Sequence, residues 1–292
     1  MSQSFGGNWT DRKLETVEKY LQPYTTIMSK QNFRFAYIDA FAGTGYNTIR
    51  DEDDPQTTLF SDLTEDEPTR FRDTSVQIAL KIQPPFQTYF FIEKDEKRFA
   101  ALQNLKTTFP QLDIRPQNQD ANTFLKEICA KKWNKNRAVL FLDPFGMQVS
   151  WDTIEAIAAT QAIDMWYLFP LGVGVSRLLK RDGDIKLQWR EKLNSIFGDT
   201  AWYDAFYHTE QEPKLPMFPD EPSKTRIVKT ANFDAITAYI LKRLNTVFAG
   251  VARNPLKLTN SKNNPLYLLC FAASNPKGAP IAVRIAEQVL RQ

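Results

Sequence analysis

Arg137-Ala-Val-Leu-Phe-Leu-Asp-Pro-Phe-Gly146 decides the fold. Its unbroken apolar run describes a strand covered on both faces, as strands of a parallel sheet are, and Pro144 and Gly146 end it. A second run, Phe35-Ala-Tyr-Ile-Asp-Ala-Phe41, leads into Gly43 and Gly45 and predicts another strand entering a tight turn. Working outward, 88–93, 113–115 and 163–169 also read as strands. Stretches 74–82, 94–109, 120–130 and 151–160 read as helices. Strands alternating with helices at this period predict a doubly wound parallel sheet.

Ahead of this run, Leu14, Val17, Tyr20, Leu21, Tyr24 and Met28 recur at three-to-four spacing and predict a helix over 11–29, with Pro23 breaking or kinking it. Near the C-terminus, 231–248 is an amphipathic helix, 256–259 and 266–273 read as a hairpin, and 279–290 as a closing helix. Residues 174–229 fit the alternation poorly. They hold helix-like 175–180 and 187–197, an aromatic cluster (Trp202, Tyr203, Phe206, Tyr207) and a proline-rich stretch over 213–222. The expected architecture is α/β: a Rossmann-like, doubly wound, mostly parallel seven-stranded sheet with a C-terminal antiparallel hairpin and a helical insertion. The expected division is an N-terminal helical segment (1–34), a core (35–173 and 230–292) and an inserted helical and aromatic cap (174–229).

The chain has 292 residues, 42% of them hydrophobic, enough to bury a core and too many for a disordered chain. Its longest apolar run, 266–273, is far short of the roughly 20 residues a membrane span needs, and 1–7 lack the features of an export signal. Cys129 and Cys270 lie in unrelated segments and make neither a disulfide framework nor a zinc site. A cytoplasmic location, away from membranes, is expected. The single histidine, His208, all but excludes catalytic triads and di-histidine metal sites, and reads as a packing or surface residue. Chemistry must rest on carboxylates, backbone groups or a bound cofactor. Formal net charge is +3, but 50–70 carries −6 and reads as a surface loop, whereas 223–292 carries +9. Such a basic quarter suits a polyanion partner, or a solvated outer face.

In an open parallel sheet, ligands bind beyond the carboxyl ends of the strands. Four such ends carry suggestive residues. Gly43 and Gly45, after Asp39, would let backbone N–H groups approach a ligand, but no third glycine completes a dinucleotide fingerprint and no Gly-Lys-Ser/Thr follows. Glu93 suits the paired hydroxyls of a ribose, or caps the next helix. Asp120 could read an adenine edge or serve as an N-cap. In Asp143-Pro-Phe-Gly146, a carboxylate and a carbonyl could accept from an exocyclic amine while Phe145 stacks on the base.

Taken together these motifs resemble the class I S-adenosylmethionine-dependent methyltransferases: Asp39–Gly45 looks like their first motif, Glu93 like the ribose acid, Asp120 like the adenine contact and Asp143–Gly146 like the fourth. Trp9, Lys13 and Tyr20-Leu21, followed by Tyr37-Ile-Asp-Ala-Phe-Ala-Gly43 and Leu142-Asp-Pro-Phe-Gly146, look more closely like the three-Cys-motif partner family. Asp143-Pro-Phe-Gly146 is also similar to the fourth motif of tRNA guanine-N2 methyltransferases, and departs from the Asp/Asn-Pro-Pro-aromatic of adenine-N6 enzymes. The resemblance implies S-adenosylmethionine as cofactor, held by Asp39, Phe41, Ala42, Gly43, Gly45, Glu93, Lys94, Asp120 and Ala121. It implies catalysis by Asp143, Pro144 and Phe145 on an exocyclic amine of a nucleic-acid base, RNA favoured over DNA, and no metal. Gly146, Lys180, Arg181, Trp189 and Arg190 are the expected substrate contacts. The alternative is a catalytically weak subunit serving a three-Cys-motif protein. A dinucleotide-dependent oxidoreductase is disfavoured by the missing third glycine and the antiparallel finish.

Overall fold

The computed structural model describes residues 8–43, 74–211 and 225–291, so Gly45, the acidic stretch 50–70 and the proline-rich stretch 213–222 lie outside the described residues. The first five strands are β1 (Arg34–Asp39), β2 (Thr88–Ile92), β3 (Ile114–Gln117), β4 (Asn136–Leu142) and β5 (Ile163–Phe169). All pair in parallel, in the order β3-β2-β1-β4-β5. β6 (Tyr207–Gln211) and β7 (Thr225–Lys229) form a separate antiparallel pair. The last three strands, β8 (Gly250–Val251), β9 (Leu256–Thr259) and β10 (Pro265–Ala273), return to the main sheet. β10 runs antiparallel beside β5, from Leu268 opposite Phe169 to Ala273 opposite Asp164. β8 and β9 pair with the same edge of β10, through Val251–Ala272 and Leu256–Leu269. They are two pieces of one interrupted edge strand, so the eight segments occupy seven strand positions. The fold is the expected Rossmann-like sheet with an antiparallel finish.

Each face of the sheet carries its own buried cluster. On one face lie α1 (Asn8–Met28), α2 (Ser75–Lys81), α3 (Glu96–Thr108) and, at the chain's end, α9 (Ala279–Leu290). The other face carries α4 (Ala121–Cys129), α5 (Trp151–Ala159), α6 (Leu187–Phe197), α7 (Trp202–Phe206) and α8 (Phe233–Val247). β4 and β5 are buried nearly throughout, in keeping with cover on both faces. The segment between β5 and α8 shares the second cluster: Leu193, Phe197, Trp202 and Phe206 are buried with Ile236, Ile240 and Leu244 of α8.

Pro23 does not interrupt α1, which continues to Met28. Losing one helical hydrogen bond to proline costs about 3 kcal/mol. Val17, Tyr20, Leu21 and Tyr24 straddle the proline and are all buried, each large apolar side chain gaining roughly 1.5–3 kcal/mol, so packing wins. The predicted helix over 175–180 is replaced by a π-helical turn (Leu171–Val175) and a single turn, Ser176–Leu178. Here the chain hugs its neighbours: a Cβ on Gly172 would sit 1.8 Å from the Pro265 carbonyl oxygen, and one on Gly174 would sit 2.9 Å from Met147. The β6–β7 pair was not legible in the sequence because its strands are largely polar and exposed, leaving no apolar alternation.

Gly172→Ala drives a methyl group into a backbone carbonyl that cannot swing aside. The substitution is expected to destabilise the chain by about 2–3 kcal/mol, read from the midpoint of urea unfolding followed by circular dichroism.

Candidate functional site

From β1 the crossovers proceed to β2 and β3, and from β4 to β5, so the strand order reverses between β1 and β4. A crevice for a ligand is expected at the carboxyl ends of these two strands. Asp39 and Phe141 are paired there, and Ala40 N–H donates to the Phe141 carbonyl at 3.1 Å.

Asp39 ends β1 and is fully buried. Its Oδ2 accepts from the Ser75 hydroxyl at 2.6 Å and its Oδ1 from the Phe41 N–H at 3.2 Å. Burial nonetheless pushes its pKa up to about 7, with the Asp143 charge adding to the rise and the two hydrogen bonds and Lys13 opposing it. Past Asp39, Ala42 is buried and its N–H donates to the Ile92 carbonyl at 2.9 Å, while Phe41 packs partly buried on the core. The chain then reaches Gly43, where an added Cβ would meet Glu93 Oε2 at 2.6 Å. Glu93 therefore lies directly over the glycine turn. Its Oε1 accepts from the Asp95 N–H at 2.8 Å, and the cap of α3 is Asp95, not Glu93. Asn118 fixes the backbone here by donating to the Glu93 and Lys94 carbonyls at 2.9 and 3.0 Å, and the Lys94 side chain is exposed.

Asp120 is the N-cap of α4: its Oδ1 accepts from the Thr123 N–H at 3.0 Å and from the Thr123 hydroxyl at 3.2 Å. Ala121, the first residue of the helix, is buried. Asn122 joins this helix to the loop after β4, donating to the Gln148 carbonyl and accepting from the Ser150 N–H.

Asp143 follows β4, and its Oδ2 receives the ammonium of Lys13 at 2.5 Å. Lys13 is only 6% exposed, its Nζ lying 5.3 Å from the Trp9 ring centroid and 6.0 Å from that of Phe141. Pro144 is buried, Phe145 is 39% exposed, and Gly146 has φ +73°, a left-handed value that glycine adopts without strain. Thus Asp39, Gly43, Glu93 and Asp143 gather at neighbouring strand ends, with Phe145 exposed beside them.

Lys180, Arg181, Trp189 and Arg190 form a second cluster, on the segment that follows β5. The ammoniums of Lys180 and Lys186 lie 5.6 and 5.5 Å from the Trp189 ring centroid, and the Arg190 guanidinium lies 4.4 Å from that of Tyr203. Arg181 is exposed, and its carbonyl accepts from the Lys229 N–H at 3.0 Å. His208 lies on the β6 edge, its Nε2 2.7 Å from Glu210 Oε1. Among the described residues no group of three or more His, Cys, Asp or Glu side chains could hold a metal ion, and no helix is long and apolar enough to cross a membrane. Two surface depressions lie at the opposite end of the sheet, lined by Arg34, Lys131, Lys132 and Arg137 among others, and contain none of the carboxylates above.

Lys13 enters the sequence analysis only through a family resemblance, and its pairing with Asp143 appears only in the structure. It stands in phase with Val17, Tyr20 and Tyr24, so a cation on the apolar stripe of α1 was the available signal. Ser75 and Asn118 carried no comparable signal, because their roles depend on which strand ends become neighbours.

No family model and no curated protein matches the chain. Solved structures are similar at low identity. Protein LPL1258 of Legionella pneumophila, described as DUF519, has 12% identity and a TM-score of 0.39, over 80% of this chain and 91% of that one. The N-terminal domain of EvdMO1 with SAH bound has 9% identity and a TM-score of 0.37, over 90% and 80% of the two chains. A Clostridium thermocellum protein assigned as an rRNA methylase has 10% identity and a TM-score of 0.30, over 80% and 99%. Likeness at this level carries nothing about activity, and the strand order itself defines the fold.

Two buried carboxyls give a test of this geometry. Asp164, which accepts from the Tyr20 hydroxyl at 2.7 Å, is raised to about 6 chiefly by burial, as Asp39 is to about 7. A carboxyl whose folded pKa lies above its unfolded value binds its proton more tightly when folded. The unliganded chain therefore loses stability as pH rises from about 4 through 7. Asp39→Asn, which can keep both hydrogen bonds, should raise the melting temperature more at pH 8 than at pH 5. An equal gain at both values would show that Asp39 is not held protonated by burial.

Proposed function

We propose that the chain is an S-adenosylmethionine-dependent methyltransferase acting on an exocyclic amine of a nucleic-acid base, guanine N2 of RNA or a close equivalent. The observation that carries this reading is the placement of three carboxylates, Asp39, Glu93 and Asp143, at the ends of adjacent strands β1, β2 and β4, with the Glu93 carboxylate packed close over Gly43. The fit to the cofactor rests on the same features. The Gly43 turn leaves room beside Glu93 that a Cβ would fill, and the buried Tyr37 hydroxyl beneath the site has no hydrogen-bond partner among the described residues.

In this reading Asp39 receives the ammonium of the cofactor's amino-acid end and Glu93 holds its ribose hydroxyls. Phe41, Ala42 and Gly43 supply backbone contacts, and Lys94, Asp120 and Ala121 border the adenine. When bound, the cofactor would supply an electrophilic sulfonium methyl group for the amine, the sulfur keeping the electron pair of the carbon–sulfur bond. Asp143 and the Pro144 carbonyl orient the amine's lone pair, and Asp143 or water takes the proton that the methylated nitrogen releases. Phe145 stacks on the base, worth roughly 1–3 kcal/mol, and the left-handed Gly146 lets the chain turn away beneath it. Lys180, Arg181, Trp189 and Arg190 face the phosphates, in keeping with the +9 charge carried by 223–292. We assign the division into an N-terminal helix, a core and a 174–229 cap on the same basis, and take the site to work in the cytoplasm.

A second reading is favoured by one observation, the closure of Lys13 on Asp143. A chain whose fourth-motif carboxylate stays tied in this way would be a weak enzyme, serving as the partner of a three-Cys-motif protein.

Calorimetric titration with S-adenosylmethionine and S-adenosylhomocysteine separates the readings. Micromolar binding that Asp39→Ala or Glu93→Ala weakens at least tenfold is the expected result, and no heat from folded wild-type protein would remove the methyltransferase reading. With transfer RNA or ribosomal RNA as methyl acceptor, Phe145→Ala should lower kcat/KM by about tenfold, the equivalent of losing one stacking contact.

A further inference from the structure

Lys13 serves two masters among the groups at the ends of β1 and β4. It pairs with Asp143 directly and also bears electrostatically on Asp39. Both acids project toward α1: Asp39 lies two residues beyond Tyr37, and Asp143 two beyond Phe141, on the strand faces that α1 covers. The Tyr37 hydroxyl, fully buried and without a partner among the described residues, lies within the field of both acids. An amino-acid zwitterion entering this space brings one ammonium and one carboxylate. Asp39 complements the ammonium. The carboxylate would meet two acids unless Lys13 turned to it, and a buried carboxylate without a cation is costly.

We propose that Lys13 is an exchangeable cation, tying Asp143 in the unliganded chain and passing to the carboxylate of the cofactor's amino-acid end. This rests on the methyltransferase reading of the site. The exchange releases Asp143 to accept from the amine only after the cofactor has entered, so the cofactor binds before the base. Trp9 makes the move possible without unwinding α1. Its ring lies beside the ammonium and stacks on Tyr267 at 5.1 Å, giving Lys13 a cation–π surface along which its flexible stem can turn.

The test compares S-adenosylhomocysteine with 5′-methylthioadenosine, which has the same nucleoside and thioether but no amino-acid end. Both are titrated calorimetrically into the full chain and into Lys13→Met, Lys13→Arg and Asp143→Asn, each checked for cooperative melting. Lys13→Met should weaken S-adenosylhomocysteine by about thirtyfold or more and leave 5′-methylthioadenosine within about twofold. Lys13→Arg should retain most of the preference. Asp143→Asn is the sharper arm: removing the competing acid should tighten S-adenosylhomocysteine by about threefold or more, with no change for 5′-methylthioadenosine. If Lys13→Met does not fold, this arm and Lys13→Arg decide the matter.

The exchange is overturned if Lys13→Met leaves both affinities alone or shifts both equally, or if Asp143→Asn leaves S-adenosylhomocysteine unchanged or weakens it. Wild-type protein that binds 5′-methylthioadenosine as tightly as S-adenosylhomocysteine also overturns it, while leaving the nucleoside site intact. Binding of neither compound removes the methyltransferase reading, and the exchange with it.

Discussion

The docking of α1 on the sheet is the constraint on which the site depends. Tyr20 is the anchor: its ring lies 5.3 Å from Trp166 and 4.8 Å from Phe271, and its hydroxyl donates to Asp164. It thereby touches both β5 and the antiparallel β10, so its packing surface includes the strand that finishes the sheet. Two turns earlier on the same stripe stands Lys13, whose position at the end of β4 follows from where Tyr20 sits. A shift of the anchor by one turn, about 5.4 Å, would carry the ammonium out of reach of Asp143.

Burying Asp39 and Asp164 works against stability at neutral pH, because both carboxyls are raised toward neutrality by the desolvation of their charged forms. Two further buried groups, the Tyr37 hydroxyl and the Trp166 indole N–H, have no partner among the described residues, each such loss costing roughly 1–3 kcal/mol. All four lie on the face of the sheet that α1 covers, Tyr37 and Asp39 toward the carboxyl end of β1 and Asp164 near the start of β5. A fold selected for stability alone would line this space with apolar side chains, as it does around Tyr24, Phe35 and Phe86. Of these groups, Asp39 and Tyr37 lie beside Asp143 and Lys13, whereas Asp164 lies toward the other end of the sheet.

Much of the fold was legible because the strands announce themselves by continuous apolarity. Ile163–Phe169, Leu187–Phe197, Leu256–Thr259 and Ala279–Leu290 occur at the expected bounds. Reading failed where the deciding force was not local. Pro23 is overruled by burial on either side of it, and Gly172 and Gly174 serve close packing against Pro265 and Met147 within a π-helical turn. The candidate site was legible to the extent that it follows strand ends. Asp120 caps α4 through Oδ1, which accepts from the Thr123 N–H, whereas Glu93 leaves the cap of α3 to Asp95 and remains over the glycine turn.

The sequence by itself determined the alternation of strands and helices, the antiparallel finish and the carboxylates at the strand ends, since each is written in a short window as an apolar period or a turn. Only the tertiary structure decided which of those carboxylates meet and what neutralises them. Lys13 and Asp143 are 130 residues apart in the chain, and Tyr20 and Asp164 are 144 apart. No local pattern can pair residues at such separations, because their meeting depends on strand order and on the register at which α1 packs across the sheet.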